Sequence, residues 1–158
     1  VHKGAERVGR DPSKIELWNR TLIYIADKKE DAHREVASYA GTGLMAKYQV
    51  LIRETPEVID LRNRIEKVQP GLLEEIYQLA KVWNNYDHEK TDAVHSRAVN
   101  QRMIDFMHLT GSPDGICEQI EMLKQLGVTN ISTTVFTIID KKGMMKEIGD
   151  QIISRFSN

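Results

Sequence analysis

Apolar and polar positions along the chain change period several times, and each change marks an element. Residues Val1 to Val8 read as the end of a helix closed by Gly9, and Gly9-Arg10-Asp11-Pro12-Ser13-Lys14 is a turn with two strong breakers. From Ile15 to Ala26 the chain first alternates and then runs continuously apolar, the pattern of a strand covered on both faces by helices. Asp27 with Glu30 three residues on predicts a capped helix start. Helical periodicity continues from His33 to about Ile52, interrupted at Gly41-Thr42-Gly43. Thr55-Pro56-Glu57 opens another helix, with a cap followed by proline, and Gln69-Pro70-Gly71 breaks it. Leu72, Leu73, Ile76, Leu79, Ala80 and Trp83 form the apolar stripe of a third.

Asn84 to Asn100 is polar, with a helix predicted to begin near Thr91, and Met103 to Leu109 fits either a short strand or a helix end. After Thr110-Gly111, Ser112 is a good N-cap, Pro113 suits the first helical position, and Asp114 faces the positive helix end. Ile116, Ile120, Leu123 and Leu126 are the core stripe of that helix, and Gly127 ends it. Val128 to Ile139 is rich in β-branched residues and reads as a strand, followed by an amphipathic helix from about Lys142 to Phe156. Strands separated by helices predict an α/β fold with a parallel sheet. Two or three strands this apolar cannot cover their own faces and edges, so the chain is expected to be part of a larger sheet.

Composition narrows the function classes. The 158 residues, 41% hydrophobic and 28% charged, fit one soluble globular domain over 1–158. With 22 Lys+Arg against 23 Asp+Glu and no basic run, no nucleic-acid partner is expected. The single cysteine, Cys117, forms no internal disulfide, the first residues are polar, and no stretch reaches the ~20 apolar residues that cross a bilayer. A cytoplasmic protein without a membrane partner is the expectation.

Several segments together resemble a known family. Met103-Ile104-Asp105-Phe106-Met107-His108-Leu109-Thr110-Gly111-Ser112-Pro113-Asp114, continuing through Ile116, Ile120, Leu123, Gly127-Val128 and Ile131, is similar to the seventh-to-eighth-strand stretch of the luciferase-like flavin- and deazaflavin-dependent oxidoreductases. Ala5-Glu6-Arg7-Val8-Gly9-Arg10-Asp11-Pro12 followed by Ile15 to Asp27 resembles that family's fifth helix, turn and sixth strand. Lys146-Glu147-Ile148-Gly149-Asp150-Gln151-Ile152-Ile153 is similar to the last helix of its methylenetetrahydromethanopterin reductase group, which uses coenzyme F420. The likeness covers both ends well and the middle poorly. It implies the C-terminal half of a (β/α)8 (TIM) barrel, with a helical insertion between strands six and seven and strands one to five supplied elsewhere. It also implies an F420- or FMN-dependent oxidoreductase transferring hydride to or from a small, pterin-like substrate, with the cofactor carrying the chemistry.

Candidate residues follow, each beside a plainer explanation. The turn Thr110-Gly111-Ser112 combines a permissive glycine with free helix N-terminal amides and is the expected cofactor contact through an anion, although capping alone accounts for it. His108, at the end of a short strand, is a candidate general acid/base, with an ordinary pKa near ~6.5, or a packing residue. Asn19 and Thr21 share one strand face, which in a barrel is the substrate-facing interior; they also fit as satisfied buried polar groups, with Arg20 on the other face paired to a carboxylate. In the insertion, which the resemblance makes a pocket wall, Tyr86 and His88 are candidates to stack on a planar ring, while Trp83 reads as core. His88, Asp92 and His95 have helical ligand spacing, but a solvated polar segment explains them and no metal is expected. By itself the chain is expected to be inactive and to hold cofactor poorly, joining the missing barrel half or a second copy. The alternatives are an FMN-dependent monooxygenase and a helical, self-associating interaction module without catalysis.

Overall fold

The computed structural model describes residues 1–87, 90, 92–135 and 140–157, with Lys29 by its backbone only. Short helix α1 (His2–Arg7) leads through a 3-10 turn at Pro12–Lys14 into β1 (Trp18–Ile25). Then come α2 (Lys29–Leu51), α3 (Pro56–Val68), α4 (Leu72–Val82) and α5 (Gln101–Met107), followed by β2 (Leu109–Gly111), α6 (Pro113–Gln125) and β3 (Asn130–Thr134). The C-terminal helix starts as α7 (Lys141–Ile148), passes a π turn at Gly149–Ile153 and finishes as α8 (Ser154–Phe156).

The sheet is parallel and three-stranded, in the order β2-β1-β3. Ile23 pairs with Leu109 and Ile25 with Gly111 on one edge of β1, while Trp18 pairs with Asn130 and Leu22 with Thr134 on the other. Alternate residues of β1 go to opposite faces. Leu22 and Tyr24 join Ala32, Val36, Leu44, Ile76, Leu79 and Ile104 in one core beneath α2, α4 and α5. Ile23 joins Leu109, Ile116, Ile148 and Ile152 in a second core beneath α6 and the C-terminal helix. The buried run predicted a strand covered on both faces, and it is one. Consecutive barrel staves would set β2 between β1 and β3; here the longest and most apolar strand takes the centre and pairs along both edges. The described residues thus form an open α/β sheet with helices on both faces.

The caps read from sequence are in place. Thr55 Oγ1 accepts the Val58 N–H at 3.4 Å and Ser112 Oγ the Gly115 N–H at 3.3 Å; Asp140, which the sequence did not single out, caps the last helix, its Oδ1 accepting the Gly143 N–H at 2.9 Å. Several expectations change. First, α2 starts after Lys28, which makes no side-chain cap bond, so Asp27 precedes the helix instead of capping it; Glu30 and Asp31 serve its positive end instead. Second, α2 runs unbroken through Gly41-Thr42-Gly43. A Cβ on Gly41 would overlap the Trp83 ring, so the glycine lets an indole lie against the helix, and that packing outweighs the ~1 kcal/mol of lost propensity.

Third, no regular helix begins near Thr91, a residue that itself lies outside the described ones; a 3-10 turn spans Val94–Ala98 instead. His95 is buried there, its ring 4.1 Å from that of Trp83 and its Nε2 3.2 Å from Ser38 Oγ, which pins the segment onto α2 and α4. Fourth, Leu126 is 77% exposed, because α6 ends at Gln125 and the chain turns away before that position can complete the stripe. Arg20 is likewise exposed and forms no ion pair with a described residue. The predicted strand from Val128 shortens to Asn130–Thr134, and residues 136–139 of it lie outside the described residues.

Candidate functional site

The chain leaves β1 toward α2 on one face of the sheet and leaves β2 toward α6 on the other. Where neighbouring parallel strands send their connections to opposite faces, a crevice opens beyond their C-terminal ends, the usual ligand position in open α/β sheets. Such a cleft is present, with a volume of about 430 Å³. Ala26 and Asp27 from the end of β1, Thr110 and Gly111 from β2, and Ser112, Gly115 and Gln119 from the start of α6 line it, with Asp105 of α5 at one side.

Local sequence explains this shape. Gly111 sits at φ +130°, which side chains other than hydrogen rarely tolerate, and its carbonyl accepts the Ala26 N–H at 3.0 Å, closing the floor. Ser112 and Pro113 then start α6 within two residues, aiming its first turn at the cleft. Of the first-turn amides, that of Gly115 is held by Ser112 Oγ and that of Ile116 by the Ser112 carbonyl at 2.9 Å. Gln119 donates to the carbonyls of Gly115 at 3.1 Å and Thr110 at 3.5 Å. Thr110 is 4% exposed, and its hydroxyl has no hydrogen-bond partner among the described residues.

Thr110, Gly111 and Ser112 therefore meet in one cleft, while the other described candidates do not line it. Sequence reading did not select Asp27, Asp105 or Gln119 for it. Asp27 read as a cap, Asp105 lay in a segment that fitted either a short strand or a helix end, and Gln119 carried no assignment; the strand order brings them together. Asn19 is half-buried, and the buried Thr21 donates to the Met107 carbonyl at 3.1 Å. Ile25 is four positions beyond Thr21, about 13 Å of strand, and neither polar residue lines the cleft. Tyr86 is 93% exposed in a 3-10 turn at Asn85–Asp87 and does not line this cleft. His88 lies outside the described residues. His95, offered as one of three ligand-spaced residues, points into the core against Trp83, and Asp92 is exposed.

His108 is buried where α2 meets the sheet, its ring beside Gly43. Its Nδ1 accepts the Leu22 N–H at 3.3 Å, so the proton sits on Nε2, which has no hydrogen-bond partner among the described residues. Burial pushes its pKa down to about 4, so the imidazole is neutral at pH 7. It does not line the cleft.

A larger apolar groove of about 620 Å³ lies on the second face, lined by residues that include Ile23, Ile120, Ile131, Ile152 and Phe156. It carries one ionisable side chain, Lys124, and no cluster of chemistry-bearing groups. Among the described residues, no helix is long and apolar enough to cross a membrane.

Comparison with known proteins bears on what this cleft belongs to. No curated protein matches the chain. The solved structure of the coenzyme F420-dependent tetrahydromethanopterin reductase from Methanopyrus kandleri is similar to 99% of this chain, with a TM-score of 0.65 and 22% identity. The likeness extends over 40% of that enzyme, so the chain spans less than half its length. At this identity the likeness concerns the fold. The family model described as luciferase-like monooxygenase matches residues 1–130, which contain both strand ends and all eight residues of the cleft. By that match over most of its length, the chain belongs to the luciferase-like monooxygenase family.

Proposed function

We infer that this chain is a single domain serving as the C-terminal half of a luciferase-like barrel, and that it provides one rim of an F420- or flavin-dependent oxidoreductase site. The observation that carries the reading is the cleft at the C-terminal strand ends, inside the region matched by the family model. In the assembled enzyme, hydride passes between the reduced cofactor and a small organic substrate, with a pterin the leading candidate from the fold neighbour. Thr110, Gly111 and Ser112 meet the bound molecules at the rim; the cofactor, when bound, supplies the redox chemistry. In a closed barrel β3 leaves β1 for the free edge of β2, and a preceding strand takes the vacated edge. A cytoplasmic location fits this role.

The test is a fluorescence titration with F420 and with FMN, using the chain alone and the chain joined behind five further strands of a family barrel. The chain alone is expected to bind neither more tightly than roughly 100 µM, while the joined protein binds one of them saturably and turns it over. Tight binding by the chain alone overturns the half-barrel reading, and no binding by the joined protein overturns the oxidoreductase reading. A monooxygenase is the second reading, favoured by the description of the matching family. It predicts oxygen consumption by the joined protein with reduced FMN, which an F420-dependent reductase does not show.

A further inference from the structure

The apolar groove of about 620 Å³ opens at the other end of the sheet from the cleft. It starts at the connection before β3, Gly127 to Asn130, and follows that strand to Thr133, whereas the cleft lies beyond the C-terminal ends of β1 and β2. β1 and β3 contribute Ile23 and Ile131, α6 contributes Ile120, and the C-terminal helix contributes Ile152 and Phe156. That helix makes its π turn at Gly149–Ile153, on the stretch that borders the groove, and such widened turns recur at functional sites. The volume falls within the ~300–1,000 Å³ of small-molecule sites.

Polar atoms of the lining are already engaged. Successive amides of the connection donate within the chain: Gly127 to the Lys124 carbonyl at 2.9 Å, Val128 to that of Leu123 at 3.0 Å, and Thr129 and Asn130 to that of Leu17 at 3.0 and 3.1 Å. Thr129 Oγ1 accepts the Leu17 N–H at 2.9 Å, Thr133 Oγ1 accepts the Ile23 N–H at 3.2 Å, and Ser157 Oγ donates to the Ile153 carbonyl at 2.9 Å. A sugar or a peptide backbone entering here loses water without gaining partners, a cost that hydrocarbon does not carry. The exception is Lys124, the single ionisable side chain of the lining among the described residues. Its ammonium lies 3.5 Å from Glu121, with both side chains exposed. Surface pairs of this kind are worth little, so Lys124 can turn to an incoming anion. One cation also argues against a lipid surface, which is held by clusters of Lys and Arg.

We propose that this groove binds one long-chain carboxylate, with its hydrocarbon on the isoleucines and its head group paired with Lys124. The site needs β3 beside β1 and nothing at the cleft, so it stands or falls apart from the oxidoreductase reading. The experiment is isothermal titration of the chain with octanoate, decanoate and uncharged 1-octanol, each below the concentration at which it self-associates, with the site mapped by proton–nitrogen NMR. One decanoate is expected per chain, bound roughly tenfold more tightly than octanoate because two further methylenes are buried. Octanoate binds about threefold more tightly than 1-octanol, and Lys124→Gln removes that difference while leaving 1-octanol binding unchanged. Amide shifts gather at Gly127, Ile131 and Ile153 and spare Gly111. Absence of saturable binding, shifts centred on Gly111, or a charge preference that survives Lys124→Gln overturns the proposal. Binding to phosphatidylglycerol vesicles without binding of free decanoate also overturns it, because the groove is then a membrane contact.

Discussion

At the scale of single residues, His108 shows how placement overrides chemical promise. Its sequence position before a glycine turn suggests a proton carrier, yet the ring packs between α2 and the sheet and accepts a backbone amide. Folding holds it neutral, with its pKa lowered by burial from 6.5 to about 4. Above about pH 6.5 the ring is neutral in both the folded and unfolded chains and contributes nothing to pH dependence. As pH falls toward 4 the unfolded chain takes up a proton that the folded one refuses, so stability is lost across that interval. At roughly 1.4 kcal/mol per pH unit, the loss approaches about 3 kcal/mol at its fullest. Urea melts between pH 7 and pH 4 should show this slope in the parent. They should show it flattened in His108→Asn, whose Oδ1 can still accept the Leu22 amide; an equal slope in both refutes the assignment. Gly41 makes the complementary point, a helix-weakening residue kept because Trp83 occupies the space its side chain would need.

Among the elements, the strongest local signals are legible in the sequence: the apolar run of β1, the capped starts of α3 and α6 with proline at the first helical position, and the stripe of α4 with Leu72, Ile76 and Leu79 buried. Each depends on residues within one or two turns of chain. What failed depended on distant partners. Gly41-Thr42-Gly43 read as a break because Trp83 is 42 positions away from the first glycine, and the segment before Asn100 read as helical because the burial of His95 cannot be seen locally. Strand order was the least legible feature, since nothing along β3 tells which edge it joins. It can be tested directly. Arg20 and Ser132 are register partners, and neighbouring strands lie ~4.8 Å apart, within disulfide reach. With Cys117 replaced by serine, Arg20→Cys with Ser132→Cys should cross-link on mild oxidation. Failure to cross-link in a folded protein would place β3 elsewhere.

For the whole molecule, membership of the luciferase-like family was legible in the ordered recurrence of short segments, and the family model confirms it over 1–130. Of the candidate site, the Thr110-Gly111-Ser112 turn was visible because its residues are contiguous; the carboxylates opposite were not, because they belong to α5 and to the end of β1. The outer edges of β2 and β3 pair with no strand among the described residues, and Trp18, Met122 and Leu126 are more than half exposed. Open parallel edges and apolar surface favour association. Light scattering after size exclusion should therefore give a mass that rises with protein concentration; a constant monomer mass across a hundredfold dilution counts against both the half-barrel and the self-associating readings.

The central position of β1 sets a timetable for biosynthesis. Leu17 and its hydrogen-bonding partner Thr129 are 112 positions apart, so the most water-averse strand leaves the ribosome long before the segment that shields its second edge. Throughout that interval its backbone donors and acceptors on that side stay bare, and closing so long a loop is slow. A chain cut short before Asn130 would keep this exposure permanently. Such nascent or truncated forms are the ones a holdase chaperone should capture, and their yield in cells should rise with chaperone supply far more than that of the full-length chain.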